Sequence, residues 1–348
     1  MDQSTTVSLE DYIRKSSSAI GSWFLAYKEL GQNTFISFRI KKKDNLTHSI
    51  YNYDHSQRDG ISCLNHLSQN EKFELYQSKN HTKLYKFKFF GQSLCLYLSQ
   101  TFLFPYYARK RKFNIWKTKY SYNLNNKSDE TNPKSNCFKI SSNELNEIIS
   151  FCKSSQINLN AHLLYCLNLA VRNYFKIIQE TSWWIPVNFR SEFQSLDQTI
   201  LNSASLNCVS NFTLTIQEKD TAKNVFQNMK NSLKNKLHWG VWAWQRIPLF
   251  LPKNIILALS KSQLKNNFYA GTFTNLGKWQ SNTQFDEFYI FANTLPSHPI
   301  GASAIQLNNT IYLGLQFHSC LLVSDDEIKI ITENWKTLIL KKQLINLE

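Results

Sequence analysis

Apolar residues recur with two periods along this chain, and each change of period marks a new element. Over residues 11–30, Ile13, Ile20, Trp23, Phe24, Tyr27 and Leu30 fall on one side of a helix, and Gly31 supplies its stop. The period then drops to two. Ile36, Phe38 and Ile40 share one face of a strand, and a lysine-rich turn at 41–45 leads into a second strand at about 46–53. Ile61, Leu64 and Leu67, following Gly60, predict a helix, and residues 83–98 read as a strand pair around Gly91.

From Arg109 the pattern dissolves into lysine, asparagine and serine, with Pro133 near its end. This polar stretch places a domain boundary near 125–136, dividing the chain into an N-terminal unit of 1–130 and a C-terminal unit of 137–348. The second unit opens on a capping box, Ser141-x-x-Glu144, ahead of Leu145, Ile148, Ile149 and Cys152 at helical spacing. Asn160 is the expected cap of a helix at 161–175 that is apolar nearly all round and therefore central. Residues 183–189 and 208–216 read as strands and 221–237 as a helix. Alternation over 311–317 predicts a further strand, and Ser324-x-x-Glu327 caps a closing helix through Ile328, Ile331, Trp335 and Leu338. Strands and helices mixed through both halves predict an α/β (α+β) class protein of two layered domains.

Composition narrows the classes. With 348 residues, 42% of them apolar and 19% charged, the chain is globular rather than disordered. Its most apolar stretch, 247–260, is broken by Pro248, Pro252 and Lys253, so no membrane span is expected. Met1-Asp2-Gln3-Ser4 shows no basic region ahead of an apolar run, so a cytoplasmic location is expected. Seven scattered cysteines, none in a C-x-x-C pair, argue against a disulfide framework or a zinc ribbon, and no metal site is expected. A net charge of +15 favours anionic partners: nucleic acid, acidic lipid or a phosphorylated cosubstrate.

One string carries the chemistry. In Asp54-His55-Ser56-Gln57-Arg58-Asp59-Gly60, a histidine follows a strand and precedes a helix, where a short turn holds its ring rigidly. Histidine suits proton abstraction near neutral pH. Asp59 is placed to orient the ring or to fix the turn through an ion pair, and Gly60 gives the backbone freedom there.

H-x-x-x-D-G on a strand-to-helix turn resembles the active-site signature of the chloramphenicol-acetyltransferase-like superfamily. That group includes condensation domains of peptide synthetases, BAHD-type acyltransferases, alcohol acetyltransferases, and wax-ester and polyketide-associated acyltransferases. Further segments fit in order. Trp184-Ile185-Pro186-Val187-Asn188-Phe189-Arg190 resembles the P-V-N-L-R strand, Leu206-Asn207-Cys208-Val209-Ser210-Asn211 the G-N-x-x-S stretch, and Thr274-Asn275-Leu276-Gly277 the S/T-N-L-G turn. Two departures stand out: Asp54 occupies the position of a first histidine found in many relatives, and only about 54 residues precede His55. The short N-terminal region implies a tunnel wall that is incomplete or supplied by another subunit.

The resemblance implies two chloramphenicol-acetyltransferase-like sandwich domains with an active-site tunnel between them. It implies acyl transfer from a thioester, acyl-CoA or an acyl carrier protein as cosubstrate with no bound cofactor, to a hydroxyl or amine. His55 would be general base, Thr274 or Asn275 the oxyanion donors, and Asp59 the partner of a strand arginine, Arg190. A condensation enzyme using an acidic carrier protein, or an inactive relative serving as a binding module, are the alternatives. The basic aromatic run at 104–117 suits the phosphates of coenzyme A, a peripheral contact with an acidic membrane, or a solvated loop, and no nucleic-acid fold accompanies it. Trp239, Trp242 and Trp244 line an acyl tunnel, dock on a membrane, or pack a core near the domain interface. His162, His298 and His318 read as core, surface or loop residues.

Overall fold

The computed structural model describes residues 9–43, 47–77, 98–103, 133–192, 206–265 and 269–341. The strand pair expected at 83–98 and the basic aromatic run at 104–117 lie outside the described residues, apart from 98, which begins a helical segment through 103.

The chain opens with helix α1 (Leu9–Glu29), hairpin β1 (Phe35–Lys42) and β2 (Ser49–Asp54), helix α2 (Gly60–Asn70) and the short β3 (Tyr76–Gln77). After β4 (Lys134–Ile140) come helices α3 (Ser142–Ser154) and α4 (Leu159–Phe175), then β5 (Thr181–Asn188) and β6 (Val209–Ile216). Helices α5 (Ala222–Lys234), α6 (Leu237–Gln245) and α7 (Lys253–Leu264) precede four strands. These are β7 (Gly271–Gln280), β8 (Phe285–Phe291), β9 (Ile300–Leu307) and β10 (Thr310–Phe317), and helix α8 (Asp325–Lys341) closes the described chain.

Two sheets result. The larger runs β4-β10-β9-β7-β5-β6, with β3 pairing on β7; the smaller runs β2-β1-β8. β7 lies parallel to both β5 and β9, and every other pairing is antiparallel. The small sheet thus takes its third strand, β8, from far along the chain, and its first two from the segment that carries His55.

The period-two pattern of the large sheet divides its faces. Trp183, Ile185, Phe212, Leu214, Phe273, Ala302 and Leu315 pack with α4 and α8 residues such as Leu163, Leu167, Ile331 and Trp335 in the main core. A second core joins Ile36, Phe38 and Ile40 of β1 to Cys63, Leu64 and Leu67 of α2. A third gathers Ile13 and Ile20 of α1, Phe189, Leu206 and Cys208, and Trp239 and Trp242 of α6. Trp239 and Trp242 are therefore core, with the Trp242 ring stacked on Phe189 at 4.3 Å, one residue from Arg190, while Trp244 is half-buried and its Nε1 donates to the Thr101 carbonyl.

Three differences from the sequence reading have local causes. The cap of α4 is Asn158, whose Oδ1 accepts from Ala161 N at 2.8 Å, so Asn160 falls inside the first turn and its carboxamide faces β7. Thr274–Gly277 is not a free turn; it lies within β7, where the register shifts between Asn275 and Lys278 and Gly277 takes φ +85°. Strands β8 and β9 went unrecognised because β9 is buried on both faces and β8 at its last four residues, which erases the alternation. No helix among the described residues is long and apolar enough to cross a membrane.

Because Trp242 is fully buried against Phe189, Trp242→Ala is expected to cost about 3–5 kcal/mol of stability by chemical denaturation. A loss below about 1 kcal/mol would place this ring outside the core.

Candidate active site

The turn 55–59 leaves β2 at the edge of the small sheet and enters α2, whose cap is Asp59. Asp59 Oδ1 accepts from Ser62 N at 2.9 Å. Its other oxygen accepts from Arg190 Nη1 at 2.7 Å and from Cys208 N at 2.6 Å. Arg190 Nη2 donates to Ser62 Oγ at 2.6 Å and to the Leu206 carbonyl at 3.0 Å, and Ser62 Oγ itself donates to the Leu206 carbonyl. Asp59 is 3% and Arg190 6% exposed, so both charges are buried and each is saturated by the other and by backbone groups. Arg190 sits in a 3-10 turn at Phe189–Glu192, just past β5 rather than within it.

This pairing fixes the histidine. The His55 ring places Nδ1 2.8 Å from the Arg58 carbonyl. A carbonyl only accepts, so Nδ1 carries the proton and Nε2 the lone pair. Asn207 Nδ2 donates to the His55 carbonyl at 2.9 Å, and His55 N donates to the Thr34 carbonyl at 3.0 Å. Burial of the ring lowers its pKa, against the opposing pull of the Arg58 carbonyl and the Asp59 charge.

Helix α1 clamps the same turn through one face. At Gly21 a Cβ would run into the Ser56 carbonyl oxygen, so the helix approaches the turn only because no side chain is there. One turn on, Phe24 stacks on the His55 ring at 4.0 Å. A further turn on, Lys28 Nζ pairs with Asp54 Oδ2 at 3.0 Å. Asp54 Oδ1 accepts from Ser56 N at 2.9 Å, which closes the first bend of the turn. Burial raises the Asp54 pKa, but Ser56 and Lys28 outweigh it and hold the carboxyl below its usual range.

The ring lines a cavity of about 100 Å³ between this turn and the large sheet. Gly60, Pro186, Thr274, Asn275 and Asn293 share the lining. At Gly60 an added Cβ would lie 3.0 Å from a methyl of Leu276, so β7 comes close to the start of α2. The six residues singled out from the sequence, His55, Asp59, Gly60, Arg190, Thr274 and Asn275, therefore lie around one cavity. Asn275 is engaged at both ends: Nδ2 donates to Asn160 Oδ1 at 2.6 Å and Oδ1 accepts from Gly277 N at 2.8 Å. Cys208 also lines the cavity, but burial pushes its thiol up to about 12, far from thiolate chemistry at neutral pH. His298, a loop residue in sequence, is buried beside Trp184 with ring centroids 4.9 Å apart, and burial together with His318 and His55 lowers its pKa to about 3. Phe24 was legible only as part of a helix face, Asn207 only within the stretch 206–211, and Gly21 not at all, since each acts on the turn from a distant segment. Among the described residues no group of three or more histidine, cysteine or acidic side chains is disposed to hold a metal ion.

No family model matches the sequence. No curated protein matches it either. Solved structures do resemble it. The epimerization domain from the third module of tyrocidine synthetase B aligns over 85% of this chain and 68% of its own, at 13% identity and a TM-score of 0.50. The wax ester synthase/diacylglycerol acyltransferase of Marinobacter aquaeolei aligns over 92% of this chain and 76% of its own, at 10% identity and TM-score 0.49. The trichothecene 15-O-acetyltransferase of Fusarium sporotrichioides aligns over 61% of this chain at 13% identity and TM-score 0.46, and the chain spans 47% of that protein's length. The likeness to the epimerization domain shows the fold, the chloramphenicol-acetyltransferase-like one that the histidine motif implied.

Asp59→Asn, which leaves the Arg190 charge buried without its counterion, is expected to destabilise the protein by about 3–5 kcal/mol in denaturant titration. Lys28→Met removes an ion pair whose lysine is 54% exposed, and is expected to cost less than about 1 kcal/mol. Equal costs for the two would contradict the central place given to the buried pair.

Proposed function

We propose that this protein is an acyltransferase that moves an acyl group from a thioester, acyl-CoA in the first instance, to a hydroxyl or amine, with His55 as general base. The observation that carries the reading is the His55 ring itself. Its Nδ1 is tied to the Arg58 carbonyl while the ring lines a cavity shared with Thr274, so the base nitrogen is Nε2. The fold shared with the epimerization domain, and the order of the motifs around His55, support it further.

In this mechanism the acceptor O–H or N–H proton passes to Nε2 as the oxygen or nitrogen bonds to the thioester carbonyl carbon. Negative charge gathers on the carbonyl oxygen, where the Thr274 hydroxyl donates; Asn275, bound to Asn160 and Gly277, serves instead to shape β7 at that point. The carbon–sulfur bond then breaks, and the proton held on Nε2 returns to the departing thiolate. Asp59 and Arg190 are positioning residues, touching the turn and not the reacting atoms. The net charge of +15 suits either the phosphates of coenzyme A or an acidic carrier protein.

Intact-mass screening with mixed acyl-CoA donors and candidate alcohols or amines is expected to yield acylated product. His55→Ala is expected to lower the rate about 10²- to 10⁴-fold without loss of the folded state in a thermal melt. Since the folded ring is held below its ordinary pKa near 6.5, kcat/KM should rise with pH to a midpoint below that value and stay level above it. Unchanged transfer in His55→Ala would dismiss the proposal. Activity only with carrier-protein thioesters would move the donor, not the base.

A further inference from the structure

The face of the large sheet turned toward His55 carries polar side chains that the fold leaves unsatisfied. Two of them line the cavity. Thr272 Oγ1 and Asn293 Nδ2 are buried with no hydrogen-bond partner, in residues that are 7% and 9% exposed. Asn211 Oδ1 and Thr213 Oγ1, on β6 beside the cavity residue Pro186 and its neighbour Trp184, are in the same condition. A buried polar atom without a partner destabilises the fold that holds it, and such atoms are rare away from sites that take a ligand or water.

Register places the first of the two lining groups, and a chain crossing places the second. Thr213, Trp184, Thr272 and Gly301 form one row across β6, β5, β7 and β9, so their side chains share a face. Gly301 contributes no side chain to that row, which continues to Gln316 of β10, and residues 292–294 cross the sheet directly over the glycine. A Cβ on Gly301 would lie 2.6 Å from the Ala292 carbonyl oxygen and 3.0 Å from the Thr294 methyl. Gln316 Nε2 donates to the same Ala292 carbonyl at 3.2 Å and pins the crossing in place. Asn293, in the middle of it, lines the same cavity as Thr272, and the crossing that carries it is packed on the sheet.

The chemistry of the pair selects a ligand. A hydroxyl and a carboxamide NH₂ lining one cavity can both donate, which suits an acceptor oxygen. The lining offers no counterion for a charged one: Arg190 is saturated by Asp59, and the Asp59 carboxylate would repel an anion. We infer that Thr272 and Asn293 form a subsite for a neutral oxygen, a hydroxyl or a carbonyl, carried by one of the two substrates near its reacting group. The inference rests on the acyl-transfer reading for the choice of molecules, while its test reads binding and does not need turnover.

Two isosteric pairs test it on the intact chain by ligand-detected NMR titration: glycolyl-CoA against propionyl-CoA, and ethane-1,2-diol against propan-1-ol. Each pair exchanges a terminal hydroxyl for a methyl. In one pair the hydroxyl member is expected to bind about tenfold more tightly, and which pair it is assigns the subsite to the acyl group or to the acceptor. Thr272→Val and Asn293→Leu should each bring that pair toward parity, and Thr272→Ser, which keeps the donor, should preserve the preference. Thermal melts of the same variants should show no loss of stability from Thr272→Val, since it removes an unpaired buried hydroxyl. Equal binding within both pairs, no binding in either, or a preference that survives both substitutions overturns the subsite. A preference in binding with no transfer under any donor removes the acyl-transfer reading and leaves the subsite standing; transfer without preference does the reverse.

Discussion

A single buried carboxylate holds three distant pieces of this chain together. Asp59 starts α2, receives the guanidinium of Arg190 from the turn after β5, and receives the backbone N–H of Cys208 from the approach to β6. In water such an exposed pair contributes little. Here both groups are withdrawn from solvent, so each would be costly without the other, and the arrangement is all-or-none. The turn that carries His55 therefore sits against the large sheet in one place only. The cavity exists because that turn and β7 are brought face to face.

Rigidity at the histidine is built in layers. The Arg58 carbonyl fixes the tautomer, and Phe24 fixes the plane of the ring by stacking on it. Gly21 lets α1 approach closely enough for that stacking to occur, and Lys28 reaches Asp54 from the same helical face. Asp54, which departs from the histidine common in the resembling family, acts in this chain as the acceptor that bends the turn at Ser56. Its charge also acts on the ring, favouring the protonated form against the effect of burial.

The sequence made some of this legible and hid the rest for physical reasons. Period-two and helical patterns located β1, β2, α2, α3 and α8, because each buries one face and exposes another, while β10, buried almost throughout, was located by the alternation of Ile311, Leu313, Leu315 and Phe317 with Tyr312, Gly314 and Gln316. The turn at His55 was visible as H-x-x-x-D-G, and Arg190 through its place after Pro186-Val187-Asn188. Strand β9 and the buried end of β8 lie between covered layers, so burial on both sides left no alternation to detect. Asn160 had the residue type of a cap, yet the helix began two positions earlier at Asn158, and only the structure reveals that its carboxamide serves Asn275. Phe24, Thr272 and Asn293 are ordinary residues in ordinary patterns. Their meaning comes from register and crossing, which no local window contains.

The most direct measurement of the central claim is the protonation pattern of the His55 imidazole, read by ¹⁵N NMR of histidine-labelled protein at neutral pH. The account predicts a neutral ring with its proton on Nδ1 and a bare Nε2, and loss of that fixed pattern when Asp59 is replaced by Asn. A ring protonated on Nε2, or charged on both nitrogens at pH 7, would contradict it.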